Sequence, residues 1–250
     1  MQDFRPGLVG SISINYVIKK LDMQQILYFE SEFIVPGAIF MDGKLHHPFR
    51  IYSNIDGTLC ALICEAPIMI DGMHSVLDAL AKWAEDIGIN DVFVIDWMTI
   101  QPRSTIDINS KVLSNVERSP IILSSDDDKI INLDNNKKNV NIESLIEGST
   151  SFIGGIAGGL LSSCLSHNIS CSVIFIPTQS GIHDPDGAAL TIEVLQNIIA
   201  NNNFKVDTTK LRKEGEEMKH KLNNLIKSII QQQEQSYLIH DGKHDSLLYS

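Results

Sequence analysis

The sequence predicts an α/β protein, a mixed sheet in three layers with a long C-terminal helix and a flexible tail. Three observations predict it. Asp42-Gly43 and Asp56-Gly57 separate short apolar runs in the N-terminal third and read as hairpin turns. Val92–Ile95 and Cys171–Ile176 are apolar on both faces, as strands covered by helices on both sides are. Met73, Val76, Leu77, Leu80, Ala84 and Ile87 recur at helical spacing and stop at Gly88.

In chain order, apolar residues at helical spacing over 8–21 (Leu8, Ile12, Tyr16, Val17, Ile18, Leu21) open the fold with a helix. A strand is expected at Gln25–Phe29. Ile34–Met41, Phe49–Tyr52 and Leu59–Cys64 then read as strands of one antiparallel meander. Asp71 is expected to cap the next helix. Val92–Ile95 follows as a central strand, and Ser124–Asn141, rich in Asp, Asn and Lys, reads as a polar surface excursion. Helices are expected at Ile156–His167 and Pro185–Ala200, the second capped by Asp184 with Pro185 at its first position. Residues 1–203 form the core domain in this reading.

From Asp207 to Gln235 the chain has no proline, one glycine and a regular apolar repeat. Leu211, Met218 and Leu225 fall seven apart, as do Gly215, Leu222 and Ile229, displaced by four. That is an a/d seam, and a continuous helix of this length would be a rod roughly 43 Å long. Residues 204–235 are therefore expected to form an oligomerisation helix using Leu211, Met218, Leu222, Leu225 and Ile229. Ile226 and Ile230 widen the stripe, which also fits an amphipathic helix lying on its own domain. Residues 236–250 are polar and read as a flexible tail.

The formal charge of −11 repels phosphate backbones, and no Lys/Arg run offsets it, so nucleic acid is not an expected partner. No stretch reaches the roughly 18 uninterrupted apolar residues of a membrane span, and the first residues lack signal-peptide character. A cytoplasmic protein is expected. Cys60 and Cys64 alternate with Leu62 on one strand face and read as small core residues, not metal ligands.

Gly-x-Ser-x-Gly, His-Glu-x-x-His, Gly-x-x-x-x-Gly-Lys-Ser/Thr and Gly-x-Gly-x-x-Gly are all missing from the sequence. No catalytic residue, cofactor or metal is expected, and the protein is not read as an enzyme. Gly154–Gly159 opens a helix whose amides could hold a phosphate, but small residues also allow close packing, and no Lys or Thr is placed to share the charge. Adjacent His46 and His47 would point to opposite faces if they lie in a strand, which opposes chelation. Glu65 ends a strand without an identified partner.

Leu248-Tyr249-Ser250 ends the sequence as hydrophobic, tyrosine, any residue. Leucine can fill an apolar pocket, tyrosine offers a rigid amphipathic ring, and a free carboxylate can pair with a lysine or backbone amides. An ordered set of segments then places the sequence. These are Gly7–Ile12, Tyr28–Glu32, Asp42–Lys44, His47–Tyr52, Glu65–Ile68, Gly154–Gly158 and Asp184–Ala189. The chain resembles, over nearly its whole length, the proteasome assembly chaperone two family of archaea and eukaryotes.

That resemblance implies a phosphorylase-like α/β fold and homo-oligomers built with C-terminal helices. It also implies binding to 20S proteasome α-subunits through Leu248, Tyr249 and Ser250. The family opens with an apolar strand and a glycine-rich turn before its Gly-Leu-Val-Gly motif, whereas six residues precede Gly7 here. The expectation is that either the start is truncated or misassigned, or the sheet lacks that strand. The alternative function is an enzyme or binder acting on a nucleotide or other phosphate-bearing small ligand.

Overall fold

The computed structural model describes residues 8–41, 43–99, 119–125, 152–178, 183–199, 204–221 and 224. Helix α1 (Leu8–Lys20) leads into strand β1 (Gln24–Tyr28). Val9, Ser13 and Val17 fall four apart and form its buried stripe. The Ser13 hydroxyl donates to the Gly10 carbonyl, so its burial leaves no polar atom unpaired.

Strands β2 (Ile39–Met41) and β3 (Lys44–His46) form a hairpin around Asp42-Gly43. Strand β4 (Phe49–Ser53) is the centre of an antiparallel sheet between β1 and β5 (Cys60–Cys64). The expected single meander is thus divided, because β2 and β3 make a two-stranded sheet of their own. Pro36-Gly37 interrupts the run Ile34–Met41. Proline cannot donate to a ladder, and only the last three residues of that run extend into a strand.

Helix α2 (Ile70–Asp86) buries Val76, Leu77, Leu80, Ala81 and Ala84 on one face. Asp71 is not its cap. Met69 holds that position with extended backbone, and its N–H donates to the Phe33 carbonyl at 2.7 Å. Asp71 is the second residue of the helix, where a negative charge favours the N-terminus. The helix does end at Gly88. Its N–H donates to the Glu85 carbonyl, and that of Ile89 donates to Ala84, closing the final turn as the left-handed glycine cap requires.

The second sheet contains β6 (Asp91–Thr99), β7 (Ile121–Ser124) and β8 (Ser170–Thr178) in the order β6-β8-β7. Strand β8 runs parallel to β6, from Asp91↔Ser170 to Thr99↔Thr178, and antiparallel to β7. Val92–Ile95 therefore lies in an edge strand among the described residues, and Cys171–Ile176 is the central one. Apolarity on both faces reports helix cover, not pairing on both edges. Ser124, where a polar excursion was expected to begin, is the end of β7 and accepts from the Ser172 hydroxyl at 2.8 Å. Most of that excursion lies outside the described residues.

Helices α3 (Gly155–Ser166) and α4 (Pro185–Ile198) flank β8, and a further helix, α5, covers 209–221. The layering follows from alternation along the strands. Tyr52, Ala61, Ile174 and Ile176 pack with Val9 and Val17 of α1 and with Ile192 and Val194 of α4. Phe49, Ile51 and Cys171 face the other way, toward Leu77 and Leu80 of α2 and Leu160 of α3. Each large apolar side chain so buried contributes about 1.5–3 kcal/mol. The result is a mixed α/β protein with sheets between two helical layers.

Candidate functional site

Three places hold the residues that the motifs or their burial single out. The first is the start of α4 and the helix that crosses it. Asp184 accepts from the Gly187 N–H at 2.9 Å and from the Thr178 hydroxyl at 2.7 Å, so it caps α4 and ties it to the end of β8. Pro185 stands at the first helical position, as the sequence implies.

Helix α5 is fastened there by charge. Arg212 pairs with both Asp186 and Glu193, and Lys219 reaches Asp186 at 3.2 Å. Glu193 also accepts from the Thr208 hydroxyl at 2.8 Å. Burial alone would raise the Asp186 carboxyl, but Arg212 and Lys219 outweigh it and hold it below the usual aspartate value. A Cβ on Gly215 would stand 2.7 Å from the Asp186 Cβ, so this crossing requires glycine.

Phe204, Val206 and Leu211 are buried in the core beside α4. Leu211, named from the sequence as a seam residue, thus packs inside its own chain, and Met218 is half-buried. The start of the C-terminal helix lies on its own domain, the second of the two arrangements the pattern allowed. Leu222, Leu225, Ile229, Leu248, Tyr249 and Ser250 lie outside the described residues.

The second place is a buried arginine that the motif search passed over. Arg50, the second residue of β4, is 0% exposed. It donates to Tyr52 Oη at 2.9 Å, to the His47 carbonyl, and to Glu65 Oε2 at 2.8 Å. Glu65 therefore has a partner, and its role here is to neutralise a charge inside the fold. An arginine amid Phe49, Ile51 and Tyr52 was the available signal. The neighbouring His47 stacks on Tyr28 with ring centroids 3.7 Å apart, while His46 pairs with Ile39 in the hairpin. Among the described residues no three His, Cys, Asp or Glu side chains gather as a metal site.

The third place is the glycine-rich start of α3. A Cβ on Gly158 would lie 2.0 Å from the Ile153 carbonyl oxygen, and one on Gly159 would lie 2.5 Å from Leu77 Cδ1. The small residues let α3 close on its own N-terminal turn and on α2. Cys60, Leu62 and Cys64 occupy one half-buried face of β5, against the α2 side of the core.

This is a three-layer α/β scaffold in which the described charged clusters join one element to the next, with a C-terminal helix strapped over its last core helix. The PAC2 family pattern matches residues 6–226, and the chain belongs to that family. A relative from Methanocaldococcus jannaschii is 25% identical over 228 residues, covering 88% of this chain and 81% of its own. The fold is similar to that of Pyrococcus furiosus PbaA, an archaeal homolog of proteasome-assembly chaperone. That likeness has a TM-score of 0.69 and 21% identity, and covers 97% of this chain and 90% of PbaA. It is also similar to Pyrococcus furiosus PbaB, an archaeal proteasome activator, with a TM-score of 0.67, 14% identity and 88% of each chain covered.

Proposed function

We propose that this chain is a proteasome-assembly chaperone or adaptor that binds the α-ring of the 20S proteasome through Leu248, Tyr249 and Ser250. It works by binding and not by catalysis, in the cytoplasm, as a homo-oligomer. Family membership across residues 6–226 carries the reading, and PbaA, a homolog of proteasome-assembly chaperone, and PbaB, a proteasome activator, whose fold it shares, give it direction.

The physical account begins at α5. Ion pairs to Asp186 and Glu193 and the buried Phe204, Val206 and Leu211 give the C-terminal segment a fixed origin on the core. From there the sequence supplies Met218, Leu222, Leu225 and Ile229 as contacts between copies, and then a polar stretch ending in the docking residues. A coil of fifteen residues spans about 20 Å, enough to search for a pocket near the core. Several tails in one oligomer would share a high effective concentration at a ring of receptors, turning weak single contacts into useful affinity.

The test is co-purification of 20S α-subunits with the full chain and with a chain lacking Leu248–Ser250. Capture by the first alone is the expected result. Equal capture by both would assign binding to another surface.

A further inference from the structure

We propose that Cys164 and Cys171 are a redox-modification site, a buried dithiol that hydrogen peroxide converts into an intrachain disulfide tying α3 to β8. The local chain brings the two residues together. His167 caps the C-terminus of α3, Asn168 takes a left-handed φ of 53°, and the Ile169 N–H donates to the Cys164 carbonyl at 2.9 Å. Asparagine tolerates that conformation, so the chain reverses tightly and Cys171, the second residue of β8, returns beside the last turn of the helix. The two thiols are hydrogen-bonded to each other, and both residues are 0% exposed. The sulfurs of such a pair need to approach by about 1–2 Å to reach the roughly 2.05 Å of a disulfide.

The four cysteines differ in what they can do. Cys60 and Cys64 stand four positions apart on β5, which sets their Cα atoms about 13 Å apart, beyond the roughly 7 Å that a disulfide spans. Burial pushes both of those thiols up, away from the reactive thiolate. At Cys164 the hydrogen bond from Cys171, together with the charge of His167, outweighs burial and draws the thiol below its ordinary value. His167 is favoured in its charged form by Glu85 at 2.7 Å and Asp78 at 3.3 Å. Cys164 is therefore the nucleophile and Cys171 the resolving thiol. Both sit where a helix end meets a strand start, and local opening there admits a small oxidant.

The Cys164 thiolate attacks one oxygen of hydrogen peroxide, the O–O bond breaks and hydroxide leaves, giving a sulfenic acid. The Cys171 thiol then attacks that sulfur, the S–O bond breaks, and the hydroxide departs as water with the Cys171 proton. Two thiols and one peroxide become one disulfide and two waters, the sulfurs supplying both electrons.

Trypsin separates the two cysteine pairs, since Cys60 and Cys64 fall in the peptide 51–82 and Cys164 and Cys171 in 139–205. The full chain, reduced and then exposed to hydrogen peroxide, should lose two hydrogens from 139–205 and become resistant to alkylation there. That change should come several-fold faster than loss of alkylation in 51–82, and dithiothreitol should restore both thiols. In Cys171→Ser, dimedone should trap a sulfenic acid at Cys164. The first measurement uses the unsubstituted chain, so it stands whether or not the variant folds. Oxidation of Cys60 and Cys64 at an equal or greater rate, or dimedone adducts on those two and not on Cys164, overturns the proposal. No cysteine lies in the tail, so this result and the result of deleting Leu248–Ser250 fail independently.

Discussion

Replacing Glu65 by alanine should destabilise this protein more than any comparable change at a half-exposed carboxylate. Among the described residues, Glu65 Oε2 is the one counter-charge in contact with Arg50, whose side chain is fully buried. Without it, the guanidinium keeps two neutral acceptors, Tyr52 Oη and the His47 carbonyl, but no anion. Removing one half of a buried pair costs about 3–5 kcal/mol, because the remaining charge stays desolvated. Glu65 retains 16% exposure, so water can approach its vacated place and the cost falls at the low end, about 3 kcal/mol. For a chain of this size that lowers the thermal midpoint by about 6–12 °C. Urea unfolding of both proteins, at low salt and in about 1 M salt, reads the loss directly, and a buried pair is little screened. A deficit under about 1 kcal/mol, or one that disappears in high salt, would show that the pair behaves as a surface contact and would refute the reasoning.

Four further outcomes follow from other contacts in the structure. Arg212→Ala should loosen α5 by about 1 kcal/mol after allowance for solvent screening, and hydrogen exchange should accelerate over 209–221 and not in β8. Asp186 has a depressed carboxyl pKa, so its stabilising effect is complete above the unfolded aspartate value near 3.8 and is lost as pH falls through its lower folded value. Asp186→Asn should flatten that acid limb in a pH series of unfolding midpoints.

His167 lies between Glu85 at 2.7 Å and Asp78 at 3.3 Å, and these partners raise its pKa. Its contribution is therefore present below about 6.5 and lost as pH rises through the raised folded value. An NMR titration of the His167 ring should show that upward shift, and Glu85→Gln should reduce it. Gly158→Ala should cost about 1–3 kcal/mol by pressing a methyl into the Ile153 carbonyl, whereas Ser162→Ala, on the same helix, should be near neutral in the same unfolding assay.

Most elements were legible because their signals are local. The periodicity of Met73–Ile87 with its glycine stop, and the Asp184-Pro185 start of α4, depend on residues within a turn of one another. What sequence reading missed depends on partners distant in the chain. Asp71 is a favourable cap residue, but the Met69 N–H is held by the carbonyl of Phe33, and that contact places the helix start two residues earlier than an Asp71 cap would. Val92–Ile95 looks like a central strand because helices cover it, while its single paired edge among the described residues is a matter of topology.

Charged partners were equally hidden. Glu65 and Arg50 are fifteen positions apart, and Asp186 and Arg212 twenty-six, so neither pair makes a spacing motif. The heptad in 211–229 was visible, but periodicity alone does not say whether an apolar stripe faces its own core or another chain. Leu211 settles its own case by burial in the core.

The central claim is most directly tested by the affinity of the full chain for intact 20S particles, measured beside a chain lacking Leu248, Tyr249 and Ser250. Saturable binding that falls by at least a hundredfold on deletion, with unchanged folding of the core, is the predicted result. Binding that survives the deletion would contradict the docking-tail account, and no binding by the full chain to active particles would remove the proteasome as its partner.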